Sequence, residues 1–278
     1  MTHPKKSRIP FAPLEHPCRH LFPFVLACPS FVYPAGYADN VRLLAGFVDE
    51  IQLLFFESRP TKRLPSTRLI RELANLADTA DITYNVHLPA DIFLGHPDPL
   101  ERRRSTDALQ QILDRCGPLA PSTFTLHLNR NPDDIKRVPV STWQELMTDS
   151  LAKILRRFPE SRRISVETLD YPFAQVAPVV TGLDLSVCMD MGHLMVHGVD
   201  LFDFFAVWEP RITIIHLHGV DQARDHLPLN RLSQLHMDKV LAILRTFSGV
   251  VSLEVYSQPA LDASLAHLRD QWRQTAGP

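Results

Sequence analysis

The chain has 278 residues, 45% of them hydrophobic and 22% charged, which is enough apolar material for one large core or two small ones. A formal net charge of −2 and a pI near 6.7 exclude the basic excess of a general nucleic-acid binder. No stretch approaches the roughly 18 consecutive apolar residues of a membrane span.

Residues 1–20 are polar and Pro-rich and read as an N-terminal extension, with residues 21–278 as one catalytic domain. Lys5, Lys6 and Arg8 precede the apolar run Leu21 to Ala27, a faint likeness to a secretion signal. Pro23 interrupts that run and the basic residues lie far from it, so it reads as a first strand and the protein as cytoplasmic. Cys18, Cys28, Cys116 and Cys188 form no CxxC pair and read as free thiols in a reducing compartment.

Short runs rich in Val, Ile, Phe and Leu then alternate with helical patterns. Strands are predicted at Phe22–Cys28, Val48–Phe56, Ile82–His87, Thr123–His127, Ile164–Thr168, Leu185–Asp190, Ile212–His216 and Val250–Val255. They are nearly unbroken in hydrophobicity, as strands buried on both faces should be. Apolar residues at three- and four-residue spacing predict helices over Thr67–Ala77, Leu100–Cys116, Thr142–Phe158, Leu232–Phe247 and Leu261–Trp272. Shorter helices are expected at Tyr37–Leu44, Phe173–Val180 and Leu201–Trp208. Eight strand–helix repeats predict an α/β protein closed into a (β/α)8 TIM barrel. An open doubly wound sheet is the alternative, but Pro29-Ser30-Phe31-Val32-Tyr33-Pro34 offers no glycine-rich phosphate loop after the first strand.

In such barrels the catalytic groups sit where strands end and the following loops begin. Those positions hold Glu57, His87, His127, Glu167, Asp190 with His193, His216 with His218, and Glu254; Asp225 and His226 follow in the loop after strand seven. A buried charge is costly unless it is paired or binds a metal. A single strand-end histidine is most simply a core side chain bonded to a backbone carbonyl. A carboxylate or imidazole at seven of eight strand ends, all aimed at one rim, points instead to a metal centre. Mixed imidazole and carboxylate donors suit Zn²⁺, Mn²⁺ or Fe²⁺ better than Mg²⁺ or Ca²⁺, and the set contains no cysteine. His3, His16, His20, His96, His197, His236 and His267 lie away from the rim and read as non-ligands.

The quartet Glu167, Asp190, His216 and Glu254 resembles the metal site of xylose-isomerase-like sugar isomerases and epimerases. With His87, His127, the Asp190-Met191-Gly192-His193 spacing and His226 added, the set resembles endonuclease IV, a barrel with three zinc ions that cleaves a phosphodiester. There is one departure. Endonuclease IV carries Asp-x-His after strand seven, whereas Asp225 and His226 are adjacent here. Longer strings resemble the cobamide-remodelling phosphodiesterases: Phe31-Val32-Tyr33-Pro34-Ala35, Asp39-Asn40-Val41-Arg42, Leu54-Phe55-Phe56-Glu57-Ser58, Val86-His87-Leu88-Pro89, Glu167 to Phe173, and His216-Leu217-His218-Gly219-Val220 with Arg224-Asp225-His226-Leu227.

That resemblance implies hydrolysis of the phosphoribosyl linkage in the nucleotide loop of a cobamide, a corrinoid small molecule, with no nucleic-acid or membrane partner. It implies two or three divalent ions held by His87, His127, Glu167, Asp190, His193, His216, Asp225, His226 and Glu254. Glu167 and Glu254 would bridge metals or take a proton, and Arg224 would offset phosphate charge. Tyr33, Glu57, Tyr171 and His218 are expected to bind substrate, with Phe31 as a further wall. A sugar isomerase or epimerase needs only the quartet. An abasic-site endonuclease needs the full donor set but would favour a more basic chain. A binding protein that kept the barrel should have lost ligands.

Overall fold

The computed structural model describes residues 11–55, 64–134 and 136–275. In chain order the strands are β1 (Val25–Pro29), β2 (Glu50–Leu54), β3 (Thr83–His87), β4 (Phe124–Leu126), β5 (Ile164–Glu167), β6 (Ser186–Asp190), β7 (Ile212–Leu217), β8 (Gly219–Asp221), β9 (Arg224–Leu227) and β10 (Val250–Leu253). Eight of them close a parallel barrel in the order β1-β10-β7-β6-β5-β4-β3-β2, and β8 and β9 form a separate antiparallel hairpin. Nearly every barrel-strand residue is buried, which is why these strands read as apolar runs rather than alternating ones.

The helices are α1 (Tyr37–Leu44), α2 (Thr67–Ala80), α3 (Pro99–Cys116), α4 (Val140–Leu155), α5 (Ala177–Gly182), α6 (Met191–Val196), α7 (Leu201–Trp208), α8 (Gln234–Leu244) and α9 (Gln258–Thr275). Side-chain caps set many of their starts. Ser66 accepts from the Leu69 amide at 3.1 Å, Asp98 from Leu100 at 2.8 Å with Pro99 opening α3, and Ser233 from His236 at 3.3 Å.

Three expectations need correction. The first strand begins at Val25 rather than Phe22, because Phe22 and Phe24 stack on each other at 4.9 Å and meet Trp272 of α9 edge-on. The segment expected as a helix over Phe173–Val180 divides into a 3-10 turn at Phe173–Gln175 and α5. The six-residue α6 and the β8–β9 hairpin replace what read as loop.

The part of the N-terminal extension within the described residues packs as a strap. Leu14 and Cys18 are buried, the amides of Glu15 and His16 donate to Asp262 of α9, and the Cys18 amide donates to the Phe47 carbonyl at 2.9 Å. All four cysteines are buried free thiols. Among the described residues no helix is long and apolar enough to cross a membrane.

The barrel interior carries polar groups in layers. At the lower end Glu50 accepts from Thr83 Oγ1 (2.6 Å), Asn85 Nδ2 (2.8 Å) and Ser122 Oγ (2.8 Å). Higher up, the parallel register sets Asp190 beside His216, His216 beside Ser252, and Glu167 beside Cys188. The upper layer is therefore where strand-end donors from neighbouring strands must converge.

Candidate metal centre

Each donor is aimed by its own local structure. The His87 Nδ1–H donates to the Leu88 carbonyl at 2.8 Å, and since a carbonyl can only accept, Nε2 is the nitrogen turned to the gap, where an ion would take the place of its proton. That Nε2 lies 3.3 Å from Glu167 Oε2, and His127 Nε2 lies 2.9 Å from the same oxygen. In the same way His193 Nδ1 donates to the Thr168 carbonyl at 3.0 Å and keeps Nε2 free. Carbonyl-oriented imidazoles of this kind are how metal-binding histidines are held.

His216 is fully buried, and its Nδ1 has no hydrogen-bond partner. Three carboxylate oxygens surround that orphaned atom: Glu254 Oε1 at 3.3 Å, Glu167 Oε1 at 3.4 Å and Asp190 Oδ2 at 3.9 Å. Buried polar atoms are almost always satisfied. A buried imidazole nitrogen without a hydrogen-bond partner, facing three carboxylate oxygens, is what a divalent cation fits.

Asp190 explains the Asp-Met-Gly-His spacing. It ends β6 and caps α6, its Oδ1 accepting the His193 amide at 2.7 Å. His193 is thereby fixed one turn away on the same side. Gly192 is required between them, because a Cβ there would lie 1.9 Å from His218 Cε1.

His218 was expected to bind substrate. The structure instead places it fully buried behind Asp190. The backbone amide of His226 donates to His218 Nδ1 at 2.9 Å, so that nitrogen carries a lone pair and the proton sits on Nε2, 3.1 Å from Asp190 Oδ1. The ring also stacks on His226, with centroids 4.2 Å apart. In this tautomer His218 orients Asp190 and the hairpin and has no lone pair facing the gap.

The hairpin bears on the adjacent Asp225 and His226. Neighbouring strand residues ordinarily point to opposite faces. Here β9 carries an extra residue against β8, and His226 sits at φ +50°. That bulge turns both side chains to one side. His226 Nε2 lies 3.4 Å from Glu254 Oε2 and its Nδ1 lies 3.0 Å from Asp225 Oδ1, while Asp225 Oδ2 lies 3.8 Å from His193 Nε2.

Within 4.8 Å of one another lie donor atoms of three groups: Glu167, Asp190, His216 and Glu254; His87, His127 and Glu167; and Asp190, His193, His218 and His226. Glu167 and Asp190 each belong to two of them. Cys188 also comes within this distance of Glu167 and His216, a cysteine the rim reading left out; burial pushes its thiol up to about 12, so it stays protonated.

The electrostatics agree with a cation-shaped gap. Burial alone would raise the Glu167 carboxyl, but the His127 and His216 imidazoles pull it well below the usual range. Burial likewise opposes ionisation of Glu254, and His216 and His226 overcome it. The histidines respond in kind. His226 is raised to about 9, burial being outweighed by Glu254 and Asp225. The protein's own protons stand in for the positive charge.

Not every expected residue is there. Arg224 points outward, with its side chain 72% exposed and 3.4 Å from Asp221 Oδ2; the bulge that turns Asp225 and His226 inward leaves it facing solvent. Tyr33 is buried, with its hydroxyl donating to the Ala12 carbonyl at 3.0 Å and its ring on Phe11, so it anchors the strap instead of walling the site. Phe31 is exposed. Glu57 lies outside the described residues. Tyr171 does line cavities on this face.

Two groups were missed. Gln52 of β2 donates to Glu254 Oε1 at 2.9 Å, lies 3.0 Å from His216 Nε2, and accepts from Ser252 at 2.8 Å. Its signal was the alternation Glu50-Ile51-Gln52 inside an apolar strand. Tyr256, two residues past Glu254, stacks near His226 at 5.4 Å and walls the 220 Å³ cavity above the donors.

Residues 45–272 match the sequence profile of the family described as Xylose isomerase-like TIM barrel. Solved structures of the same fold include a D-tagatose 3-epimerase-like protein (15% identity, 91% of this chain and 100% of that one, TM-score 0.74). Endonuclease IV from Thermus thermophilus is similar at 18% identity over 91% and 100%, TM-score 0.68. So is TTHB071 from the same organism, in a crystal soaked with ZnCl2, at 22% identity over 92% and 100%, TM-score 0.68.

Proposed function

We propose that this chain, which belongs to the xylose isomerase-like TIM barrel family, is a cytoplasmic metal-dependent phosphodiesterase that hydrolyses the phosphoribosyl linkage in the nucleotide loop of a cobamide. The observation that carries the reading is the donor set beyond the isomerase quartet. His87 and His127 gather on Glu167, and His193 and His226 gather with Asp190, so the donors outnumber what one ion needs. An epimerase needs only the quartet, which leaves the two outer groups unaccounted for. An abasic-site endonuclease would use them, but a net charge of −2 disfavours a polyanionic partner. The string resemblances supply the corrinoid.

His87, His127 and Glu167 would hold one ion, the quartet a second, and His193, His226, Asp225 and Asp190 a third, Zn²⁺ first among Zn²⁺, Mn²⁺ and Fe²⁺. Such ions supply Lewis-acid polarisation of a phosphoryl oxygen and a hydroxide nucleophile at neutral pH. The chain's own part is orientation. Gln52 holds Glu254, the Thr168 and Leu88 carbonyls hold His193 and His87, and His218 holds Asp190. Glu254, which lines the 220 Å³ cavity together with Tyr256, would take a proton from water entering that space.

The test is to incubate the metal-loaded protein with a cobamide, an abasic DNA duplex and several ketoses, and to follow products by mass. Release of a lower-base riboside is the expected result. Nicking of DNA without corrinoid product, or interconversion of ketoses, would replace this reading with the endonuclease or epimerase one.

A further inference from the structure

The donor cluster does not occupy the whole C-terminal face. Between the loop after β5 and helices α6 and α7 lies a cavity of about 550 Å³, inside the roughly 300–1,000 Å³ range of small-molecule sites. His193 lines both this cavity and the one above the donors. The rest of the wall is mostly apolar. Tyr171 and Phe173 come from the loop, and Phe204 and Trp208 from α7. Phe173 meets Phe204 at 5.4 Å and Trp208 at 5.0 Å, both edge-on. Tyr171 is pinned by its hydroxyl donating to the Leu128 carbonyl at 2.7 Å and by edge-on contact with Trp143.

We propose that this cavity binds the planar aromatic base at the riboside end of the substrate. The inference rests on the phosphodiesterase reading above and deepens it. A phosphate held at the donors carries its riboside arm into the adjoining space, and this cavity adjoins the donors through His193. Rings fixed perpendicular to one another suit stacking and edge contacts with a planar heterocycle. A polyhydroxylated sugar would find partners only at Thr168, Asp170, His193 and His197, and most of its hydroxyls would face the apolar side chains that make up the rest of the wall. The neighbouring cavity of about 460 Å³, across Tyr171, has the polar lining Asn129, Arg130 and Gln175 that the base does not need.

Ala174 and Val199 are exposed wall residues outside the donor set. Ala174→Trp and Val199→Trp each fill the space, and two positions guard against one variant failing to fold. The probe is free 5,6-dimethylbenzimidazole riboside, titrated by calorimetry into metal-loaded protein. Wild type should bind it, and each filled variant should bind roughly 10-fold or more weakly, the scale of one base–aromatic stack. The KM for a cobamide should rise in parallel with little change in kcat, while turnover of a base-free methyl ribosyl phosphate stays put. No riboside binding by wild type, or binding that survives both fillings, overturns the cavity assignment and leaves the phosphodiesterase reading intact. If wild type cleaves no cobamide yet binds riboside in a way that Ala174→Trp blocks, the cavity stands and the phosphodiesterase reading falls.

Discussion

Asp190 serves three partners with two oxygens. Oδ1 takes the His193 amide, the His218 Nε2–H lies 3.1 Å from Oδ1 and 3.3 Å from Oδ2, and Oδ2 is also turned toward His216 and His193. His218 is thus a positioning residue, and its two bonds can be separated. Glutamine reproduces the Nε2–H donor to Asp190, whereas asparagine reproduces the acceptor for the His226 amide. His218→Gln should retain more bound metal and more activity than His218→Asn, and His218→Ala should lose roughly 10–100-fold. Elemental analysis beside turnover reads this out, and equal losses in the Gln and Asn variants would refute the orienting role. Glu167 is shared between two donor groups, so Glu167→Gln removes one charge from both. Metal affinity or turnover should fall roughly 10–100-fold or more; a near-wild-type metal content would mean that strand five has been misread.

At the scale of elements, the barrel was legible because its signal repeats. Eight apolar runs at regular spacing, nearly all ending in a donor, are hard to produce by any other architecture, and the closed parallel order follows from them. What stayed hidden has no period. Helix α6 is only six residues long and is set by one capping carboxylate, and the hairpin bulge turns on a single residue with φ +50°. The sequence sets His218 two residues after His216 but does not say which atom its ring faces. Arg224 and Tyr33 were misjudged because nearness in sequence to a site says nothing of direction once a bulge or a strap intervenes. The close fit of α6 against β7 yields its own prediction. Gly192→Ala puts a methyl 1.9 Å from His218 Cε1, and overpacking of this kind costs about 1–3 kcal/mol. The melting temperature and metal content should both fall. In a His218→Ala background the same change should be nearly neutral, and an undiminished cost there would show that the glycine serves the backbone instead.

For the molecule as a whole, the barrel's upper layer is a buried acidic cluster whose counter-charge must come from somewhere. Without ions it comes from protons on the surrounding imidazoles. Burial would lower His87, His193 and His216, but nearby acidic groups outweigh it and raise all three, and His226 is raised to about 9. A group whose folded pKa exceeds its unfolded value adds stability that is fully present below the unfolded value and lost as pH rises through the folded one. For His226 that window runs from the ordinary 6.5 to about 9. The loss is on the order of 3 kcal/mol for a shift of this size. Metal-free protein should therefore weaken steadily across that window in urea titrations, as the carboxylates are left facing one another. Metal-loaded protein should not, since its positive charge does not titrate away and its ligands are already neutral imidazoles. Ion uptake near pH 7 should also release protons, measurable as buffer-dependent heat in calorimetry. Denaturation midpoints that decline in parallel with and without chelator, or uptake with no proton release, would show that protons and ions do not compete for this layer.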